Sequence, residues 1–316
     1  MKKVVFLDTV HEVLWNRLSD AGFQCINAID QSKEACEKLI VDASGIVIRS
    51  RFPMNPEFLK HAKNLLFIAR SGAGMENINE QYCEAQNIAL FNAPEGNRNA
   101  VAEHALGMLL SLFNRLHLAD QEVRSGKWDR EGNRGYELDG KTVGIIGFGN
   151  NGSAFAKKLR GFDVEVLAYD KYKSGFGDDF VKEATLEEIQ GKADVFSFHI
   201  PQNEETLFMA DTSFFSSFEK SIYVINLSRG KIVKTDDLVK ALKNGKVRGA
   251  CLDVLEYEKA SFESFFEQEL NPTFQYLLQS DKVILSPHVG GWTHESYFKL
   301  SNVLADKILM FFASNS

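Results

Sequence analysis

The stretch VGIIGFGNNG, residues 143–152, constrains the fold more than any other part of the chain. An apolar run that reads as a strand ends in Gly147, Gly149 and Gly152 at G-x-G-x-x-G spacing, and a helical pattern, NGSAFAKKLRGF, follows at once. The first glycine makes the tight turn off the strand, the second lets a pyrophosphate approach the backbone, and the third lets the helix pack closely. The helix start, with Asn150 and Asn151, offers amides and a positive dipole end to phosphate. Asp170 closes the next strand-like run, VEVLAYD, 18 residues beyond Gly152. An acid there can hold both ribose hydroxyls and repels a 2′-phosphate, which favours NAD over NADP; Lys171 and Lys173 act against that preference. Three glycines in six residues mean little alone. Flanked by strand, helix and acid, they predict a dinucleotide site with NAD as cofactor.

The rest of the chain repeats the same alternation. From KTVGIIGFG (141–149) it continues through VEVLAYD (164–170), ADVFSFHIP (193–201), SIYVINLS (221–228), VRGACLDV (247–254) and KVILSPH (282–288), six strand-like runs with helical stretches between most of them. That is the pattern of a doubly wound parallel sheet. Upstream, KVVFLD (3–8), ASGIVIRS (43–50) and NLLFIARS (64–71) read as strands, with helices over 11–22 and 55–62. Residues 100–128 form one long helical pattern without an internal proline, a bridge between domains, and 295–313 reads as a last helix. The Phe- and Glu-rich stretch 257–274 fits no element.

Composition narrows the function classes. A chain of 316 residues allows about two domains. A net charge of −7 with no block of Lys and Arg argues against phosphate-driven nucleic-acid binding. The amino-terminal apolar run breaks at Asp8, too soon for a signal peptide, and no later run approaches a membrane span. Cys25, Cys36, Cys83 and Cys251 are scattered, without metal or disulfide spacing. The expectation is a cytoplasmic protein that handles small molecules, with no metal, membrane or nucleic-acid partner.

Three stretches that finish strands of the second series carry reactive side chains: INLSRGKIV with Arg229, LDVLEYE with Asp253 and Glu258, and SPHVGG with His288. Taken singly, Arg229 reads as an ion-pair partner, Glu258 as a solvated acid and His288 as a surface imidazole. Together they form a chemical set. A guanidinium clamps a carboxylate and its neighbouring carbonyl. An imidazole takes the proton of a hydroxyl as hydride leaves the same carbon, and a carboxylate beside it fixes its tautomer. The reaction such a set suits is oxidation of a 2-hydroxy acid, or reduction of a 2-oxo acid.

On these motifs the chain resembles, end to end, the NAD-dependent D-2-hydroxyacid dehydrogenases. The resemblance implies two Rossmann-like doubly wound α/β domains, with the active site in the cleft between them. Residues 1–98 plus 291–316 would form the substrate domain, and 99–290 the NAD-binding domain. It implies Arg229 as substrate binder, His288 as acid/base and Glu258 as its partner. Asp253 would meet the nicotinamide amide, Ile200 and Pro201 the adenine side, and Leu227, Ser228, Gly290 and Gly291 the remaining cofactor surface. Where the family usually shows Arg and an aliphatic residue in the glycine loop, this chain has Asn150 and Asn151, and no proline follows Glu258.

The amino-terminal half, with VIRSRF, IARSGAGMENIN and SGKWDREGNRGYELDGKTVGIIGFG, resembles D-3-phosphoglycerate dehydrogenases in particular. This implies a phosphate held by Arg49 and Arg70, with Arg51 a further candidate. Arg130 would come from the neighbouring subunit of a homodimer, and the amides of Ala73 and Gly74 would face the substrate carboxylate. A short form without a carboxyl-terminal regulatory domain is implied as well. The alternatives are a glyoxylate/hydroxypyruvate or D-lactate-type reductase and, from another class, a non-catalytic NAD-sensing regulator.

Overall fold

The structure is a computed structural model and describes residues 1–258 and 271–314. The chain divides into two compact units: Met1–Arg98 with the carboxyl-terminal residues from Trp292, and Asn99–Gly291. Each unit is built on one parallel sheet.

The first unit contains β1 (Lys3–Phe6), β2 (Gln24–Asn27), β3 (Gly45–Ile48), β4 (Phe67–Arg70) and β5 (Ala89–Phe91), in the order β2-β1-β3-β4-β5. Every pairing is parallel. A parallel sheet must bury both faces. One face packs Val5, Ile46 and Ile68 against Phe58 and Cys36; the other packs Val4, Val47 and Phe67 against Leu14, Leu18, Leu300 and Leu304. The helix His294–Ser314 thus completes the amino-terminal sheet from the far end of the sequence. The strands β2 and β5 were not legible in the sequence. Neither QCIN nor ALF has an alternating or fully buried pattern: Gln24 and Asn27 are exposed and the other residues only partly covered.

The second unit contains β6 (Thr142–Ile146), β7 (Glu165–Tyr169), β8 (Val181–Glu183), β9 (Val195–Phe198), β10 (Ile222–Asn226), β11 (Val247–Leu252) and β12 (Val283–Leu285). Their order is β12-β11-β10-β9-β6-β7-β8, again all parallel. The order reverses at β6, which lies between β9 and β7, and ligands of such sheets bind at the carboxyl ends of strands beside that switch. The sheet has seven strands rather than the six read from sequence. The extra one, β8, is an edge strand of three residues with only Val181 buried.

The single helix expected over 100–128 is two helices, Pro94–Phe113 and Leu116–Arg124. They are separated where Arg115 takes a left-handed φ of 53°. The Tyr136 amide donates to the Phe113 carbonyl at 2.9 Å, capping the first helix from a distant loop. That stop lies in the tertiary structure and leaves no proline or glycine at the break. Of the Phe- and Glu-rich stretch, residues 259–270 lie outside the described residues, and the helix Pro272–Gln279 follows it.

Candidate functional site

In the second unit, the predicted residues gather at the carboxyl ends of strands. Gly147 follows β6 at φ +86°, a conformation side chains resist. A Cβ on Gly152 would stand 2.0 Å from the Gly147 carbonyl oxygen, so the helix Asn150–Leu159 can approach the loop only with glycine there. At Gly149 the result is the opposite: nothing lies within 4 Å of where a Cβ would be. The loop is therefore tight behind and open in front, which fits a pyrophosphate on the amides of the helix start. Asn151 adds a buried Oδ1 without a hydrogen-bond partner among the described residues.

The Asp170 carboxylate ties the loop to the end of β7. One oxygen accepts the Phe148 amide at 2.7 Å, and the other accepts the amides of Tyr172 and Lys173 at 2.9 and 3.1 Å. The Lys171 ammonium is paired with Glu205 at 2.5 Å, which offsets one of the two lysines that act against NAD, and Lys173 donates to the Phe148 carbonyl at 3.5 Å. After β9, Ile200 packs against the core and the Pro201 carbonyl accepts the Thr206 hydroxyl at 2.7 Å. Leu227 is buried in the core, and Ser228 is turned inward, its hydroxyl donating to Asn226 at 2.8 Å.

His199, beside the glycine loop, stays neutral. Burial pushes its imidazole down to about 3, and Nε2 lies 2.8 Å from the Ser197 hydroxyl. The unfolded chain binds this proton near pH 6.5, whereas the folded chain refuses it until about 3. The resulting stabilisation is complete above 6.5 and declines as pH falls from 6.5 toward 3. Urea midpoints measured from pH 8 to 4 should therefore fall less steeply for His199→Leu than for the parent chain. Parallel slopes would contradict this account.

His288 donates from Nδ1 to Glu258 Oε2 at 2.7 Å, which makes Nε2 the nitrogen able to exchange a proton with a ligand. Glu258 is held in turn by the Leu255 amide, which donates to its other oxygen. His288 has a left-handed φ of 54°, unusual for a non-glycine residue and often found where function fixes the backbone. Its amide donates to the Asp253 carbonyl at 2.8 Å.

The Asp253 carboxylate, 3 % exposed, fastens the rest of the turn. It accepts the Ser286 hydroxyl at 2.6 Å and the amides of Val289 and Gly290 at 2.9 and 2.8 Å. His104 Nε2 lies 2.9 Å from the Ser286 oxygen. Because the Ser286 proton is committed to the carboxylate, His104 must donate, and its proton is on Nε2. Gly291 closes this unit.

Arg229 follows β10 in a turn arranged by buried Asn226. Its Oδ1 accepts the Ser228 amide at 3.1 Å, and its Nδ2 donates to the Arg229 carbonyl at 3.0 Å. A Cβ on Gly230 would reach within 1.9 Å of the Leu255 carbonyl oxygen, so the Arg229 turn touches the Glu258 loop through backbone. Glu256 of that loop accepts the Thr235 amide at 2.8 Å and caps the helix Thr235–Lys243, which has no side-chain cap of its own. Asn226, His104, Ser286 and Glu256 were missed from sequence. His104, Ser286 and Glu256 act through partners distant in the chain, and Asn226 acts through the local turn it arranges; no spacing announces any of them.

In the first unit, β3 and β4 are neighbours with Ile48 opposite Arg70, which sets Arg49 beside Arg70. Arg70 Nε donates to the Arg49 carbonyl at 3.3 Å, and its guanidinium covers Gly72. The Asp8 carboxylate accepts the amides of Arg49, Ser50 and Arg51 at 2.7, 3.0 and 3.1 Å. Burial pulls the Arg49 guanidinium below its ordinary value, with Asp8 opposing. Arg51 is not part of this pair: its guanidinium donates to the carbonyls of Leu7, Ala28 and Gln31, a structural use that sequence could not separate from that of Arg49. The Ala73 carbonyl accepts Asn92 Nδ2 at 2.7 Å, which steadies the loop through Gly74. Arg130 belongs to the second unit and is exposed. Among the described residues, no group of three or more His, Cys, Asp or Glu could hold a metal ion, and no helix is long and apolar enough to cross a membrane.

Comparison with known proteins places this geometry. Residues 106–290 match the family described as D-isomer specific 2-hydroxyacid dehydrogenase, NAD binding domain. The D-3-phosphoglycerate dehydrogenase of Archaeoglobus fulgidus is 32 % identical over 309 residues, 97 % of this chain and 56 % of the relative. D-3-phosphoglycerate dehydrogenase 1 of Saccharomyces cerevisiae is 33 % identical over 297 residues, 93 % of this chain and 63 % of the relative. The chain thus spans somewhat more than half the length of these relatives. The crystal structure of D-lactate dehydrogenase from Aquifex aeolicus, complexed with NAD and lactic acid, matches with a TM-score of 0.81 at 25 % identity, covering 99 % of this chain and 96 % of that one. NAD, expected from the glycine loop and Asp170, is the cofactor of the matched domain. The chain belongs to the D-isomer specific 2-hydroxyacid dehydrogenases.

Proposed function

We propose that this protein oxidises a D-2-hydroxy acid to the 2-oxo acid with NAD, or runs the reverse, and that the pair is 3-phosphoglycerate and 3-phosphohydroxypyruvate, a step of serine biosynthesis. The nicotinamide, when bound, takes the hydride from C2. His288 Nε2 takes the hydroxyl proton, Glu258 holds the imidazole in the required tautomer, and Arg229 clamps the carboxylate. Asp253 steadies the 286–290 turn with one carboxylate and contributes to the nicotinamide pocket. Leu227, Ser228, Ile200, Pro201, Gly290 and Gly291 line the cofactor. The observation that carries the reaction class is the 2.7 Å bond from His288 Nδ1 to Glu258.

The substrate reading rests on Arg49 and Arg70 standing side by side at the ends of β3 and β4. Two arginines carried by neighbouring strand ends suit a dianionic phosphate better than a neutral side chain. The first unit, with the amides of Ala73 and Gly74, is on this reading the substrate domain. Arg70→Ala is expected to raise KM for 3-phosphohydroxypyruvate by about 10- to 100-fold, the loss of one charged hydrogen-bond partner, with kcat little changed. NADH absorbance with phosphorylated and unphosphorylated acids measures this. A KM unmoved by Arg70→Ala, or turnover confined to D-lactate or glyoxylate, would demote the arginines. That second reading, a lactate- or glyoxylate-type reductase, is favoured by the likeness to the Aquifex aeolicus lactate enzyme.

The protein is further proposed to act in the cytoplasm as a homodimer. Leu116, Val123, Trp128 and Tyr136 are exposed within one stretch of the second unit. The same stretch holds buried polar atoms of Arg115, His117 and Asn133 that lack partners among the described residues. A second copy would cover the exposed apolar side chains. It would also bring its own Arg130 toward the substrate.

A further inference from the structure

The geometry points to Trp292 as a positioning residue that sets specificity by holding the Arg49 guanidinium over its indole. The inference rests on the reading that Arg49 binds the distal anion of the substrate. The guanidinium carbon lies 4.1 Å from the indole centroid, within the range of a cation–π contact, and both residues belong to the same compact unit. An arginine stacked by its face keeps its edge N–H groups for a planar or tetrahedral anion, whereas an unstacked arginine must be ordered at the moment of binding.

Both members of the stack are fixed from behind. The Arg49 backbone is held by Asp8, which accepts three successive amides from 49 to 51. Trp292 stands directly before a reciprocal cap, in which the Thr293 amide donates to the Ser296 hydroxyl at 2.9 Å and the Ser296 amide to the Thr293 hydroxyl at 3.0 Å. Tyr297 lies edge-on to the indole at 5.8 Å, and His11 lies edge-on to Tyr297 at 5.5 Å. Yet Trp292 is 50 % exposed, so it is not filling a core. A large aromatic surface left half in water and braced on its inner side has a recognition role to explain. In sequence it also begins four residues after His288, on the segment that leaves the proposed acid/base turn.

The substrate class follows from the stack. A pre-ordered guanidinium favours a 2-oxo acid that carries a second anionic group, and gives nothing to one that ends in a hydroxyl or methyl. The test is steady-state kinetics with 3-phosphohydroxypyruvate and with hydroxypyruvate. Trp292→Leu keeps apolar bulk but has no π face, and Trp292→Phe restores the face. Trp292→Leu should raise KM for the phosphorylated acid about 5- to 10-fold with kcat within about 2-fold, while Trp292→Phe stays within about 3-fold of the parent. KM for hydroxypyruvate should move less than about 2-fold in either variant, because that acid offers Arg49 no second anion. In Arg49→Ala, adding Trp292→Leu should change nothing more, since the two act as one unit. Equal KM shifts for both acids, a fall in kcat with KM unmoved, or a Phe variant as poor as Leu would overturn the inference. Should Arg49→Ala raise KM for the phosphorylated acid while both Trp292 variants behave as the parent, only the role of Trp292 falls. Should Arg49→Ala itself leave that KM unmoved, the reading of Arg49 falls first.

Discussion

His288→Asn is expected to lower kcat by about 10²- to 10⁴-fold, the usual contribution of a positioned general acid or base. That is roughly 3 to 5 kcal/mol of transition-state stabilisation. The choice of asparagine follows from the backbone. His288 sits at a φ of 54°, which asparagine tolerates better than alanine, so the variant removes the titrating nitrogen without also straining the turn. The Asp253 carboxylate still holds the amides of Val289 and Gly290, so NADH affinity, read by fluorescence titration, should stay within about 3-fold of the parent. Glu258→Gln is the companion variant. It keeps an acceptor for Nδ1 but removes the charge that supports a developing imidazolium, and its loss of kcat should be smaller. Retention of more than about a tenth of the parental kcat in His288→Asn would mean that another group moves the proton.

The second large effect concerns the glycine loop, and it separates two kinds of glycine. A Cβ at Gly152 meets a backbone carbonyl at 2.0 Å, whereas one at Gly149 meets nothing within 4 Å. Gly152→Ala must therefore push the helix Asn150–Leu159 away from the loop. It should cost several kcal/mol, the range of overpacked and strained sites, and lower the melting temperature along with NADH affinity. Gly149→Ala should leave the melting temperature within about 2 °C while weakening NADH about tenfold or more, because the methyl occupies the side from which the pyrophosphate approaches. Calorimetry alongside an NADH titration distinguishes them. If Gly149→Ala bound NADH as the parent does, the open face of the loop would not be the phosphate site.

What could be read from sequence was whatever is local. The glycine loop, the helix after it and Asp170 at the end of the next strand form one contiguous stretch, and the structure builds them as strand, turn, helix and strand. His288 and Glu258 were legible as chemistry, and the structure joins them although 30 residues separate them. Their support was not legible. Asp253 was expected to meet the cofactor, but most of its hydrogen-bonding capacity goes to Ser286, Val289 and Gly290. The relay from His104 through Ser286 links a helix of the first half to a turn 182 residues later. Arg49 and Arg51 look equivalent on the page. One is stacked on Trp292 and the other is spent on three carbonyls, a difference decided by where β2 and the loop after it pass. The short strands β2, β5 and β8 escaped for a related reason: three or four residues with one face half covered carry too little periodicity to stand out.

The division of the chain into two units has an evolutionary reading. On the proposed assignment, proton transfer and cofactor binding reside in residues 99–291, while discrimination among acids resides in β3, β4 and the segment at Trp292. Drift in the second set can exchange one substrate for another without disturbing the first. Arg49 lies just past the end of β3 and Arg70 ends the adjacent β4, and one substitution removes either charge. A lineage could therefore change which acid it consumes in a few steps, while the His288 turn stays bound by a buried carboxylate to backbone amides. Divergence in this family should accordingly be fast at the strand ends of one sheet and slow at those of the other.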